Sequence, residues 1–164
     1  MQITQLSRSV ASGSYRERLS PSLWALVASA VCAPMAALVV VPIDATFSLA
    51  VGVIVGCLIV ALLLAASPSV RVADGVLHAG RARIDVIHLG DAAVFTGEEA
   101  RRVRGPGLPR DAWHLFRGGI DAVVVFPVVD PDDPTPAWVI ASRTPDRLAA
   151  AVAAAQLTRR TPRR

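Results

Sequence analysis

The chain has 164 residues, a formal net charge of +4 and a mean hydropathy of +0.49, which leaves room for one small soluble domain beside a membrane unit. All 17 basic residues are Arg; 14 of them follow Ser67 against 11 acidic residues, and four of those close the chain. The later half is therefore near neutral, and no broad basic face for tracking nucleic acid is expected.

Met1 to Ser14 is polar and aperiodic and reads as a tail. Tyr15-Arg16-Glu17-Arg18-Leu19 reads as a short charged segment abutting a membrane, so residues 1–21 form a cytoplasmic N-terminal stretch. Two charge-free runs follow, Ser22 to Val41 and Phe47 to Ala66, separated by Pro42-Ile43-Asp44-Ala45-Thr46. Each has about 20 residues, which at about 1.5 Å of rise per residue matches a hydrocarbon core of roughly 30 Å. Residues 22–66 thus read as a transmembrane helical hairpin, because amides in lipid must find their partners within the helix.

Trp24 falls at headgroup level. Arg8, Arg16 and Arg18 precede the hairpin, Arg71, Arg81 and Arg83 follow it, and the connecting loop carries only Asp44. Both termini are therefore expected in the cytoplasm of a plasma-membrane protein. The rival reading, a signal cleaved near Ala28-Ser29-Ala30 or at Cys32, is disfavoured because apolar sequence continues to Val41. Small residues recur at four-residue spacing at Ala25, Ser29, Ala33 and Ala37, and again at Ser48, Gly52 and Gly56. That spacing stacks them on one face of each helix, where two backbones can approach. Pro34 removes one helical hydrogen bond. Cys32 and Cys57 lie within the spans, where a thiol acts as a small apolar residue.

After Ser67 the hydrophobic period falls to two. Val70 to Ala73, the Asp74-Gly75 turn and Val76 to Ala79 predict a β-hairpin. Arg81 to Leu89 predicts a half-buried strand with Ala82, Ile84, Val86 and His88 on one face, and a short strand ends at Phe95. Thr96 and Glu99 have capping-box spacing for a helix ending near Gly105. Trp113 to Arg117 and Asp121 to Val129 are further strands, the latter central, with Pro127 marking an edge or bulge. A stiff acidic loop, Asp130 to Pro136, leads to a strand Ala137 to Ser142 carrying Trp138. Thr144, Pro145 and Asp146 open a helix to about Leu157, which completes a β-rich domain over residues 67–157 before a solvated basic tail, 158–164. The expected fold is α+β: a helical hairpin, then a small antiparallel β domain closed by a C-terminal helix.

No catalytic, cofactor or metal signature stands out. Asp85 and His88 would point to opposite faces of a strand. Asp130, Asp132 and Asp133 lack the central Gly and closing Glu of a calcium loop. Arg101, Arg102 and Arg104 form a basic helix face able to meet anionic lipid.

The motifs Tyr15-Arg16-Glu17-Arg18-Leu19, Arg71-Val72-Ala73-Asp74-Gly75, Gly105-Pro106-Gly107 and Asp133-Pro134-Thr135-Pro136-Ala137-Trp138 together resemble an uncharacterised actinobacterial two-span membrane-protein family, domain-of-unknown-function family 3093. The resemblance runs from about Tyr15 to Ala155 and implies an actinobacterial cell-membrane protein with no assigned activity. The strand count and closing helix also resemble a bacterial pleckstrin-homology-like domain. The expected function is a non-catalytic, membrane-tethered module binding a protein partner or anionic lipid headgroups, not nucleic acid. Its candidate contacts are Trp138 with Asp133 of the acidic loop, and Arg101, Arg102 and Arg104. The alternatives are an accessory subunit of a larger membrane complex, packed through the small-residue groove, and an enzyme in which Asp85, His88 and His114 converge.

Overall fold

Residues 14–160 are described by a computed structural model, and the chain divides into two units: Ser20–Ser67, and the sequence flanking it on both sides. Arg8, Arg163, Arg164 and nearly all of the expected N-terminal tail lie outside the described residues.

The first unit is the helix pair α1 (Leu23–Val40) and α2 (Ala45–Ala65). Ser22 caps α1 by accepting from the Ala25 amide at 3.3 Å, and Asp44 caps α2 by accepting from the Phe47 amide at 2.8 Å. The second helix starts two residues earlier than the hydropathy suggests, because Asp44 is a cap and Ala45 already lies inside the helix. Gly52 sits where a Cβ would come 2.9 Å from Ala37 Cβ, and at Gly56 one would come 3.0 Å from Ala33 Cβ. Ser48 Oγ donates to the Ala37 carbonyl across the pair, and Ser29 Oγ to the Leu26 carbonyl, each at 2.7 Å. The buried residues of the two helices are Ser29, Ser48 and Gly52, whereas Leu38, Val39, Ile54 and Leu62 point outward.

The second unit begins before the helices. Tyr15–Arg18 is a strand, β1, where its charges alone suggest a tail. It pairs antiparallel with β2 (Ser69–Ala73), Tyr15 opposite Val72 and Arg18 opposite Ser69. Leu19 is fully buried, and its amide donates to the Pro68 carbonyl at 2.9 Å, so the chain leaves this unit and re-enters it at hydrogen-bonded neighbours. β3 (Val76–Ala79) and β4 (Ala82–Asp85) complete an antiparallel sheet in the order β1-β2-β3-β4. The β2–β3 turn has φ of 53° at Asp74 and 77° at Gly75, the paired left-handed geometry that an Asp-Gly hairpin requires.

β4 is shorter than the alternation implies. Asp85 ends it by accepting from the Ile87 amide at 3.2 Å, so Val86–His88 forms a 3-10 turn and His88 leaves the sheet face. The second sheet has the order β5-β7-β8-β6, with β5 (Ala93–Phe95), β6 (Trp113–Leu115), β7 (Val123–Pro127) and β8 (Ala137–Ala141). All its pairs are antiparallel except β6 with β8, which run parallel and align Trp113 with Trp138. Every residue of β8 is buried, so the centre of the sheet is shared between β7 and β8. Pro127 closes β7 at its last rung, where the missing N–H matters least.

Between β5 and β6 lies α3 (Gly97–Arg104). The expected capping box is not made: Thr96 is the N-cap but forms no side-chain cap bond, and Gly97, the first residue of α3, has a left-handed φ of 56°. The closing helix α4 (Pro145–Arg160) runs three residues past Leu157 and packs on both sheets. Its buried Leu148, Val152 and Ala155 join Val72, Leu77, Phe126 and Ile140 in one core. Each large apolar side chain there contributes roughly 1.5–3 kcal/mol.

Candidate functional site

The side chains marked by the sequence do not form one site. Trp138 is only 6% exposed and stacks on Trp113, ring centroids 4.2 Å apart. The residue expected as a contact is thus largely buried, because β6 runs alongside β8 and brings the two indoles into register. Asp133 stays on the acidic loop, where its Oδ1 accepts from the Thr135 amide at 2.8 Å, and that bond holds its carboxyl below the usual range.

Arg101 and Arg102 are exposed on α3, Arg101 pairing with Glu98 at 2.7 Å. Arg104 does not share their free face, since its guanidinium donates to the Ile120 carbonyl at 2.9 Å and reaches Asp121 at 3.5 Å. In the hairpin, Ala33, Ala37, Ser48, Gly52 and Gly56 meet across the helix pair as described; Ser29 bonds within α1 and Ala25 lies at its capped start. Beside this contact an open apolar groove of about 280 Å³ is lined by Ala33, Pro34, Ala37, Leu49, Gly52 and Val53.

The three residues that an enzyme would need to bring together have separate partners. Asp85 pairs with Arg159 at 2.7 Å, His88 Nδ1 lies 3.1 Å from Asp130 Oδ2, and His114 stacks on Phe116 at 5.0 Å. Arg159, exposed as expected of the basic tail, is held by its pair with Asp85, with its side chain over Gly75. Among the described residues no group of three or more His, Cys, Asp or Glu is placed to hold a metal ion.

A further polar cluster joins residues that the sequence marked separately and gave no reason to bring together. Glu17 Oε2 accepts from the Tyr15 and Ser142 hydroxyls, each at 2.6 Å, and Oε1 accepts from the Arg143 amide at 2.8 Å. Tyr15 Oη also lies 2.8 Å from Thr144 Oγ1, and Ser142, which is fully buried, accepts from the Thr144 amide at 3.0 Å. Burial first, then the bond to Glu17, raises the Tyr15 phenol above its ordinary value. The cluster ties the strand before the helices to the junction of β8 and α4. Its chemistry is that of a fastening, with each polar atom already committed to a partner.

Fold and sites together define an α+β unit whose first two strands are separated in sequence by an apolar helical hairpin. The chain belongs to a family described as a protein of unknown function, DUF3093, whose profile matches residues 14–152. That match takes in β1, both helices and the start of α4, so the family's defining pattern includes the interruption. No curated protein and no solved structure matches the chain.

Proposed function

We propose that the protein is an integral membrane protein in which α1 and α2 cross the bilayer and the β unit works in the cytoplasm as a non-catalytic binding module. The observation that carries this reading is the inverted distribution of side chains in the helix pair. Serine and glycine are inside, and leucine, valine and isoleucine are outside, with Val39 78% and Leu49 69% exposed. Water does not tolerate so large an apolar surface on a soluble protein, and lipid does.

The β1–β2 pairing supports termini on one side, because strands bonded to each other flank the two spans. It also argues against cleavage after the first span, which would remove β1 and with it the Glu17 partner of buried Ser142. Arginines on both flanks favour the cytoplasm as that side. Two sheets closed by α4 support a pleckstrin-homology-like arrangement, from which the parallel β6–β8 pair is a departure. The separate partners of Asp85, His88 and His114 favour binding over catalysis.

The test is fractionation with alkaline carbonate, together with cytoplasm-active and export-active reporters fused after Arg164. The protein is expected in the washed membrane pellet with only the cytoplasmic reporter active. Release into the supernatant, or activity of the exported reporter, overturns the reading.

A further inference from the structure

Strand register assembles a feature that is scattered in the sequence. Arg16 of β1 stands opposite Arg71 of β2, Arg71 opposite His78 of β3, and His78 opposite Arg83 of β4. Directly paired residues share a face, so these four side chains form one row across the whole sheet. Arg16, Arg71 and Arg83 are exposed and His78 is half-buried. Their neighbours along each strand, Tyr15, Val72, Leu77 and Ile84, turn the other way into the core.

Like charges placed opposite one another in a sheet repel. Among the described residues Arg16, Arg71 and Arg83 have no ion pair. Of the acids on these strands and their turn, Glu17 accepts from the Tyr15 and Ser142 hydroxyls and the Arg143 amide, Asp85 is paired with Arg159, and Asp74 stands at the β2–β3 turn, where it acts on His78. The field is felt at the one titratable member: burial and then Arg71 and Arg83 lower the His78 pKa, against a smaller opposing pull from Asp74. A surface that keeps three arginines in mutual repulsion is poised for an anion that relieves it.

The position of the row in the chain selects the anion. Arg16 precedes α1 by seven residues, and Arg71 follows α2 by six. At no more than about 3.5 Å per residue, the covalent path holds both within roughly 25 Å of a helix end. Clustered arginines beside a membrane span are the pattern that anionic leaflets attract.

We propose that the outer face of the β1–β4 sheet, centred on Arg16, Arg71, His78 and Arg83, binds the phosphate headgroups of anionic phospholipids in the leaflet that anchors the chain. This rests on the membrane reading above and moves its lipid contact from α3 to the first sheet.

The test uses the full chain in nanodiscs made from phosphatidylcholine with a minority of phosphatidylglycerol. The lipids that stay with the protein after mild detergent extraction are then counted. Wild type is expected to retain phosphatidylglycerol about threefold over its bulk proportion, and less at high salt. The variant R16Q/R71Q/R83Q is expected to return to the bulk proportion while melting at or above the wild-type temperature, since it removes only opposed like charges. R101Q/R102Q is expected to keep the enrichment. As an independent readout, the His78 imidazole resonance should titrate higher in the mixed nanodisc than in pure phosphatidylcholine, and this difference should vanish in the triple variant.

Enrichment that survives the triple variant, or that disappears in R101Q/R102Q alone, overturns the proposal and leaves the membrane reading standing. So does a short oligonucleotide that displaces the phosphatidylglycerol at physiological salt, which would assign the row to nucleic acid. Failure of the wild type to enter nanodiscs overturns both.

Discussion

The two units solve the burial problem in opposite ways. In the helix pair the inside is made of Ser29, Ser48 and Gly52 and the outside of large aliphatic side chains; in the β unit Phe126, Leu77 and Ile140 are inside and arginines are outside. Each arrangement follows from what the surface must face. On the membrane reading proposed above, helices in lipid gain little from hiding leucine and gain contacts from small residues that let backbones meet, whereas the β unit is held together by removing apolar area from water. A residue type therefore has no fixed meaning along this chain. Trp24, 82% exposed, and Trp138, 6% exposed, are the same side chain in opposite settings.

That pair offers the sharpest way to break the comparison. Trp138→Ala removes a stacked, buried indole and is expected to lower the stability of the β unit by about 4 kcal/mol. Trp24→Ala should leave it unchanged. Urea titration of the detergent-solubilised full chain, followed by circular dichroism of the strands, measures both, and equal losses would contradict the division into units. Next in size is Glu17→Ala, which takes an acceptor from the Tyr15 and Ser142 hydroxyls and the Arg143 amide. It should cost about 3 kcal/mol in the same titration, with Glu17→Gln costing less. A neutral result would mean that β1 is not fastened by this carboxylate.

Gly52→Val tests the other unit. A Cβ there already meets Ala37 at 2.9 Å, so the larger side chain should push the helices apart at a cost of about 2 kcal/mol. Hydrogen exchange should quicken in α1 and α2 while β7 and β8 stay protected; loosening of both would show that the units unfold as one. The smallest effect concerns pH. The Tyr15 phenol is raised in the folded state, so its contribution to stability is complete below the unfolded value of about 10 and is lost as pH rises through the folded value. Tyr15→Phe should flatten that alkaline decline, and identical pH profiles for the two proteins would refute the assignment.

Much of the architecture could be read from local pattern. The hairpin was visible because two charge-free runs of spanning length need no distant partner, and the β2–β3 turn because Asp74 and Gly75 both accept the left-handed region. The features that escaped depend on register over long separations. β1 looks like a charged tail until Val72 is placed opposite Tyr15, and only then does the alternation of Tyr15 and Glu17 inward with Arg16 and Arg18 outward read as a strand. The arginine row escaped for the same reason, its members lying on four strands. Even charge balance over the later half gave no sign of it, because the acids lie mostly elsewhere. Asp85 shows a different failure: alternation continued through Ile87 and His88, but a short carboxylate able to bond the backbone ahead of it stopped the strand.

The placement of β1 also sets an order of events during synthesis. Tyr15 emerges from the ribosome well over fifty residues ahead of Val72, its partner in the sheet. At roughly 5–20 residues per second, this strand waits for seconds with its edge unmatched while both greasy helices are made. Completion of the first sheet is therefore a late step that follows synthesis of the second helix.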